Sequence, residues 1–143
     1  MKRSASAVWH GDLKKGHGAL ATRSGVLHDT PYSFVTRFES EPGTNPEELL
    51  AAAHAGCFTM AVSFVLNNAG FTAEVIDTEA QLTMDTVDGK PTVTAIHLVT
   101  RARVPDIDAA RFAQIANDAK VNCVISRALS PAITVTMDAA LVD

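Results

Sequence analysis

The fold is decided by one long helical stretch, NPEELLAAAHAGCFTMAVSFVLNN at residues 45–68. Asn45 is a favourable N-cap, Pro46 suits the first helical position, and Glu48 stands where a capping box places an acidic side chain. Gly70 suits the left-handed conformation that ends many helices. These signals predict a helix of roughly 35 Å, at about 1.5 Å per residue.

The centre of this helix, residues 49–66, contains no Asp, Glu, Lys or Arg. Such a run approaches the lower length limit of a membrane span. Half of it is Ala, Gly, Ser, Thr or His, however, and Glu47 and Glu48 flank it without compensating basic residues. We therefore predict a cytoplasmic protein with no membrane partner and a buried central helix. Because one small chain covers such a helix poorly, we also expect a second copy to bury it in a homodimer.

The whole chain has 143 residues, a net charge of −4 and 47% hydrophobic residues. Its length fits one domain, residues 1–143, with a modest core. The apolar content excludes a disordered protein, and the acidic balance without a basic cluster argues against nucleic acid as a partner. Two cysteines are too few for a disulfide scaffold and suit a cytosolic redox or metal role.

Alternating apolar and polar residues predict strands on both sides of the helix. Before it, turns at residues 14–16 and 24–25 separate short strands, and residues 32–39 alternate clearly. A strand there would place Phe34 and Phe38 on one face and Arg37 on the other. We therefore expect Arg37 to point away from the aromatic side of its strand.

After the long helix, the pattern predicts a hairpin, two helical segments and a last strand. Residues 76–85 and 92–104 pair around the Asp88-Gly89 turn, a helix follows Asp108, a shorter one begins near Cys123, and residues 133–137 alternate again. The predicted fold class is α+β, with antiparallel sheets around a long buried central helix.

The cysteines have both chemical and structural interpretations. Cys57 lies too deep in its helix for the helix terminus to stabilise a thiolate, so a nucleophilic Cys57 needs a cation, for which Arg37 is the candidate. Cys123 lies at the start of a short helix, where backbone N–H groups favour a thiolate. A buried cysteine can equally be a small hydrophobe, and an arginine beside a turn can be an ordinary exposed residue.

A metal site is the competing chemical use of these residues. His54 and Cys57 lie three positions apart on one helix face, and Cys123 could join them. A structural zinc needs four protein ligands, and a fourth is not evident. A packed core histidine is the simpler interpretation of His54.

Three stretches of the sequence resemble one known family. They are PYSFVTRFE at residues 31–39, GTNPEELL at residues 43–50 and AAHAGCFTMA at residues 52–61. Together they resemble the OsmC/Ohr family of organic hydroperoxide reductases. The position of the arginine, in the Thr-Arg-Phe-Glu segment just before the helix, resembles that in the OsmC (osmotically inducible protein C) branch of the family. The likeness extends from residues 9–12 to the last strand.

The resemblance implies an intertwined α+β homodimer with two active sites at the subunit interface. It implies that Cys57 is the peroxidatic cysteine and Cys123 the resolving cysteine. Arg37 and Glu47 match the pair that bond to each other and to the reactive thiolate. Val124 departs from the family pattern, which usually has proline after the second cysteine.

The implied activity is reduction of organic hydroperoxides to alcohols through a Cys57 thiolate, a sulfenic acid and a Cys57–Cys123 disulfide. The resemblance implies no metal or prosthetic group, and an external dithiol of the lipoyl type as reductant. Four neighbouring apolar side chains would favour organic peroxides over hydrogen peroxide: Phe34, Phe38, Phe58 and Met60.

Two further expectations concern the class of function and the subunit arrangement. The alternative to an enzyme is a non-catalytic protein that binds an apolar ligand or a stress-response partner and whose cysteines are structural.

On a regular helix, Glu47 lies about 15 Å along the axis and roughly 80° around it from Cys57. We therefore expect Glu47 to serve the partner subunit's Cys57.

Overall fold

The computed structural model describes residues 1–39 and 41–143 of the chain. Within these ranges the strands and helices follow one another in a mixed order. They are β1 (Ala5–His10), β2 (His17–Thr22), β3 (Thr30–Tyr32), α1 (Phe34–Phe38), α2 (Pro46–Asn68), β4 (Val75–Val87), β5 (Lys90–Arg103), α3 (Ala109–Asn122), α4 (Val124–Ala128) and β6 (Thr134–Leu141).

The first sheet contains β1, β2 and β3 in that order, with both pairings antiparallel. Gly18 of β2 pairs with Trp9 on one side and with Tyr32 on the other. A side chain at Gly18 would collide with both rings, whose centroids lie 5.3 Å apart. Glycine at this position therefore allows the two aromatic side chains to meet across the sheet.

The short helix α1 replaces the strand predicted over residues 32–39, and that prediction was wrong. Ser33 caps the helix: its Oγ accepts a hydrogen bond from the Thr36 amide, and the Thr36 hydroxyl accepts one from the Ser33 amide. Phe34 and Phe38 fit either structure, since a spacing of four residues matches one helix face as well as one strand face. The reciprocal cap favours the helix.

Helix α2 confirms the predicted start and end of the long helix. The Glu48 amide donates to Asn45 Oδ1 at 2.8 Å, and Gly70 follows the last turn with a φ of +87°. The Phe71 amide donates to the Leu66 carbonyl and closes the end of the helix. Side chains four residues apart on one face are fully buried: His54, Phe58, Val62 and Leu66.

The opposite face of α2 is exposed in a single chain. Met60 is 75% exposed and Phe64 is 66% exposed. The helix is long and apolar enough to cross a membrane by length and composition, but its buried stripe shares one core cluster with β5 and α3, as expected of a core helix. The predicted central helix is therefore buried along one face only, and a second apolar face is uncovered.

The second sheet contains β4, β5 and β6 in that order. The predicted β4–β5 hairpin turns at Asp88 and Gly89, whose φ values of +49° and +76° are those that a two-residue I′ turn requires. Strand β6 pairs with the other edge of β5 in parallel, so this sheet is mixed, and the prediction that both sheets are antiparallel is wrong for it. Alternation predicts the faces of a strand but not its direction, and here α3 and α4 form the crossover that a parallel pair needs.

The chain divides into two compact units, Met1–Leu49 and Leu50–Asp143. The first unit contains the first sheet, α1 and the start of α2. The second contains the rest of α2, the second sheet, α3 and α4. One face of α3 is buried there, at Phe112, Ile115, Ala116 and Ala119. The α+β class is confirmed, whereas a single domain over residues 1–143 stays a prediction.

Candidate active site

The two cysteines meet in the second unit although 66 positions separate them in the sequence. Cys57 lies in the middle of α2, and Cys123 is the junction residue that ends α3 and begins α4. Both are free thiols, and their Sγ atoms lie 3.2 Å apart. Because a disulfide bond measures about 2.0 Å, the two sulfurs are in contact but not bonded.

Access from solution differs between the two thiols. Cys57 is half-buried, whereas Cys123 is only 1% exposed and belongs to the core cluster of its unit. A small oxidant therefore meets the sulfur of Cys57 before that of Cys123.

The surroundings of Cys57 disfavour its thiolate within the second unit. Burial raises the pKa of the Cys57 thiol, and the neighbouring Cys123 raises it further. The backbone N–H groups of Ile125 and Val124 act in the opposite direction, but the pKa remains above the ordinary thiol value. These helpful groups are uncharged amides, so a reactive Cys57 thiolate needs a cation in addition.

The surroundings of Cys123 favour its thiolate. Burial raises the pKa of the Cys123 thiol, but the Ser126 amide, the Cys57 thiol, the Ser126 hydroxyl and the Ile125 amide together bring it below the ordinary value. The dipoles of α3 and α4 oppose each other at this junction, because α3 ends and α4 begins there. Individual donors, rather than a helix dipole, therefore account for the lowered pKa.

Arg37 and Glu47 form a close ion pair in the first unit. Arg37 Nη2 donates to Glu47 Oε1 at 2.7 Å, and Arg37 Nε donates to Oε1 at 3.0 Å and to Oε2 at 3.2 Å. Arg37 belongs to the last turn of α1 and Glu47 to the first turn of α2. Several bonds between the same two groups fix the orientation of the guanidinium plane.

The aromatic surroundings of Arg37 correct the prediction that it points away from its aromatic neighbours. Its guanidinium carbon lies 4.9 Å from the centroid of the Phe38 ring, and the Phe34 and Phe38 rings pack with centroids 4.9 Å apart. Because residues 34–38 form a helix, Arg37 and Phe38 follow Phe34 by three and four positions and so lie near the same face.

A pocket of about 240 Å³ lies beside Arg37 within the first unit. Its lining is aromatic and aliphatic apart from Ser33 and the arginine itself, so it offers apolar surface next to a cation. The lining residues are Trp9, Leu13, Tyr32, Ser33, Phe34, Arg37 and Phe38.

The pocket contains only part of the predicted set of apolar residues. Phe34 and Phe38 line it, whereas Phe58 is fully buried in the core of the second unit and Met60 is exposed on α2. Trp9 and Tyr32 were not predicted to contribute, because their approach depends on strand pairing across Gly18.

His54 is a packed core histidine, as the simpler interpretation proposed. It is completely buried, and its Nε2 lies 2.8 Å from Ser126 Oγ. Burial lowers the pKa of His54, which favours the neutral ring. Among residues 1–39 and 41–143, no three His, Cys, Asp or Glu side chains are grouped as a metal site requires.

The structure thus brings together two pairs of the predicted site residues, each within one unit. Cys57 contacts Cys123 in the second unit, and Arg37 binds Glu47 in the first. Ser126 was not predicted to take part. Its position three residues after Cys123 was a weak signal, since the third residue of a helix commonly faces the residue that caps it.

Comparison with a family model and comparison with known sequences lead to the same family. A family model described as OsmC-like protein matches residues 38–138. Peroxiredoxin OsmC of Escherichia coli K12 is 49% identical over 132 residues, which cover 92% of both chains. Peroxiredoxin OsmC of Shigella flexneri matches to the same extent.

Solved structures share the fold. The organic hydroperoxide resistance protein OhrB of Bacillus subtilis superposes with a TM-score of 0.74 at 25% identity, over 95% of this chain and 97% of that one. An OsmC-like protein of Mycoplasma pneumoniae gives a TM-score of 0.78 at 14% identity, over 100% and 99% of the two chains, and shows the fold alone. By the family model and the 49% identical relative, the chain belongs to the OsmC family.

Proposed function

We propose that this chain is a peroxidase that reduces organic hydroperoxides to alcohols with Cys57 as the attacking thiolate and Cys123 as the resolving cysteine. The observation that carries the proposal is the contact of two free sulfurs at 3.2 Å, one half-buried and one buried. Family membership and 49% identity to a protein named peroxiredoxin support the peroxidase class.

The reaction has three steps. The Cys57 thiolate attacks the terminal peroxide oxygen, the O–O bond breaks, and the leaving alkoxide takes up a proton to become the alcohol. Cys57 is thereby oxidised to a sulfenic acid. Cys123 then attacks the sulfenic sulfur, an S–S bond forms and water leaves. An external dithiol, of the lipoyl type that the resemblance implies, reduces the disulfide and releases both thiols.

Arg37 supplies the cation that the Cys57 thiolate needs, and Glu47 holds the guanidinium in position. Both Glu47 and Cys57 belong to α2, about 15 Å apart along its axis. A glutamate side chain cannot bridge that distance along its own helix. Two α2 helices crossing antiparallel in a homodimer would bring the Arg37–Glu47 pair towards the partner's Cys57.

The exposed apolar face of α2 supports this dimer. Met60 and Phe64 are each more than half exposed in one chain, and large apolar side chains are common at the buried core of subunit interfaces. A second copy of α2 would cover them.

The pocket beside Arg37 supports organic hydroperoxides as the substrate class. Its lining is largely apolar, with Trp9, Phe34 and Phe38 among its walls. The organic group of a hydroperoxide can bury apolar surface there, whereas hydrogen peroxide has none to bury. We place the protein in the cytoplasm, where the thiols stay reduced between cycles.

The decisive experiment measures turnover of a bulky organic hydroperoxide with a dihydrolipoyl reductant and, in parallel, with a monothiol. We expect turnover that the dithiol supports better, since a second thiol in the same molecule completes reduction of the disulfide. A protein whose thiols resist stoichiometric peroxide would instead be the non-catalytic binding protein with structural cysteines.

A further inference from the structure

A side-chain hydrogen bond links α2 to α4 beside Cys123, and the reaction steps above do not use it. His54 is completely buried one turn before Cys57, and its Nε2 lies 2.8 Å from Ser126 Oγ on α4. Ser126 follows Cys123 by three positions, and Cys123 contacts Cys57 at 3.2 Å. Two side chains of α2 therefore reach this junction: Cys57 contacts Cys123 itself, and His54 hydrogen-bonds to a residue in the first turn of the helix that Cys123 begins.

The direction of the hydrogen bond follows from the other ring nitrogen of His54. Nδ1 is buried and has no hydrogen-bond partner among the described residues. If Nδ1 carried the proton, a buried N–H group would be left unpaired, which is rare and costly in folded proteins. The neutral ring is therefore protonated at Nε2, and Nε2–H donates to Ser126 Oγ.

The hydroxyl proton of Ser126 then remains available for another acceptor. The Ser126 hydroxyl and amide both act on the Cys123 sulfur and lower the pKa of its thiol. Cys123 forms no side-chain capping bond with α4 in the described structure, so this interaction is looser than a regular cap. It becomes stronger when the sulfur is charged, because donors bind ionised acceptors more tightly than neutral ones.

The other surroundings of Cys123 make this donor important. Cys57 on α2 is the titratable group in contact with it, and the uncharged amides of Ile125 and Ser126 act from α4. The core cluster around it is apolar, with Phe58 from α2, Ile96 and Leu98 from β5, and Phe112, Ile115 and Ala119 from α3. A thiolate in such a cluster is costly unless hydrogen-bond donors compensate it.

We propose that His54 and Ser126 are positioning residues for resolution. His54 holds the Ser126 hydroxyl so that this hydroxyl donates to the Cys123 sulfur, and the Cys123 thiolate then attacks the sulfenic acid of Cys57. This inference rests on the proposed function. In the step itself, the S–O bond of Cys57 breaks and the S–S bond forms. Cys123 is oxidised, the sulfenic sulfur is reduced, and the departing hydroxide leaves as water with the proton that Cys123 released.

The test separates oxidation from resolution in a single turnover. Reduced protein is mixed with one equivalent of an organic hydroperoxide, quenched with a thiol-alkylating reagent at successive times, and analysed by mass spectrometry for sulfenic acid and disulfide. The variants are Ser126→Ala, Ser126→Thr, His54→Leu and His54→Gln. Ser130→Ala is the matched control, because its hydroxyl accepts a hydrogen bond from the Ala132 amide elsewhere after α4.

We expect Ser126→Ala and His54→Leu to slow disulfide formation roughly tenfold at neutral pH, the size expected for one hydrogen bond to a charged sulfur. The rate of Cys57 oxidation should not change. The resolution rate should recover as pH rises, since the thiolate then forms without the donor. Ser126→Thr and His54→Gln, which keep a hydroxyl and an N–H donor, should be closer to the unaltered protein.

Two outcomes would overturn the inference. One is an unchanged resolution rate in Ser126→Ala, and the other is a slow rate that does not recover at high pH, which indicates a structural defect. If the unaltered protein itself forms no Cys57–Cys123 disulfide, the proposed function fails instead. The two failures are therefore distinguishable in one data set.

Discussion

Cys57 and Cys123 bring their sulfur atoms to 3.2 Å, yet their surroundings act on the two thiols in opposite directions. Burial, aided by the neighbouring Cys123, raises the pKa of the Cys57 thiol, whereas hydrogen bonds outweigh burial and lower the pKa of the Cys123 thiol. The thiol with the raised pKa is the more accessible one, because Cys57 is half-buried whereas Cys123 is only 1% exposed. The accessible thiol therefore needs a cation, whereas the buried thiol already has its donors. This asymmetry fits an attacking and a resolving cysteine.

The assignment of the two cysteines predicts where a sulfenic acid accumulates. In Cys123→Ser, one round of oxidation should leave a sulfenic acid on Cys57 that a dimedone-type reagent traps, because no thiol remains to condense with it. Excess peroxide should then convert it to sulfinic acid faster than in the unaltered protein. Mass spectrometry of the labelled peptides measures both. Trapping on Cys123 in a Cys57→Ser protein, or equal over-oxidation with and without Cys123, would reverse or remove the assignment.

The role of Arg37 predicts a shift of the pH profile. The rate of Cys57 oxidation should rise with pH as its thiol ionises, and a nearby cation moves that rise to lower pH. Replacing Arg37→Gln should slow the reaction about tenfold or more at neutral pH, since an opposite charge lowers a pKa by roughly 1 to 3. Stopped-flow rates measured from acid to alkaline pH test this.

The loss in Arg37→Gln should shrink as pH rises, because the thiolate then forms without the cation. Arg111→Gln is the matched control, since this exposed arginine of α3 hydrogen-bonds to Gln114. An Arg37→Gln profile that is lower at every pH but has the same midpoint would show that Arg37 acts on the peroxide and not on the thiol.

The pocket beside Arg37 predicts substrate selectivity. Phe34→Ala should raise the KM for a bulky organic hydroperoxide roughly tenfold, because part of an aromatic wall no longer excludes water from the substrate. The kcat/KM for hydrogen peroxide should stay within about twofold of the original, since that substrate has no apolar group to bury. Val26→Ala, at a residue 85% exposed in the same unit, is the control. Equal losses for both peroxides would argue against a substrate pocket.

The subunit arrangement predicts complementation between inactive proteins. Cys57→Ser lacks the nucleophile and Glu47→Ala lacks the group that holds Arg37, so each homodimer should be inactive. After dissociation and random re-pairing, the mixture should recover about a quarter of the original activity. Half of the dimers are then mixed, and each mixed dimer contains one complete site if Glu47 serves the partner subunit's Cys57. Proven mixed dimers without activity would refute this arrangement.

Local signals in the sequence predicted much of the fold correctly. The cap at Asn45, the stop at Gly70 and the Asp88-Gly89 turn each depend on neighbours within a few residues, and all three are present. The incorrect prediction of a strand over residues 32–39 also has a local explanation. Phe34 and Phe38 satisfy the periodicity of a strand and of a helix, and the reciprocal Ser33–Thr36 cap favours the helix.

Other features depend on long-range pairing and could not be predicted from pattern alone. The parallel direction of β6 depends on the path of α3 and α4 between two strands. The contact of Cys57 with Cys123, and of His54 with Ser126, depends on how α4 meets α2. Periodicity assigns residues to faces of one element, but it carries no information on which element lies opposite.

The proposed mechanism requires that peroxide convert the contact between the sulfurs of Cys57 and Cys123 into a disulfide bond. Fully reduced protein should be titrated anaerobically with an organic hydroperoxide while free thiols are counted and the disulfide is mapped by mass spectrometry. We predict that each equivalent of hydroperoxide consumes two thiols, yields one equivalent of alcohol and links residue 57 to residue 123. Alcohol formation without that link, or a persistent pair of free thiols after one equivalent, would contradict the account.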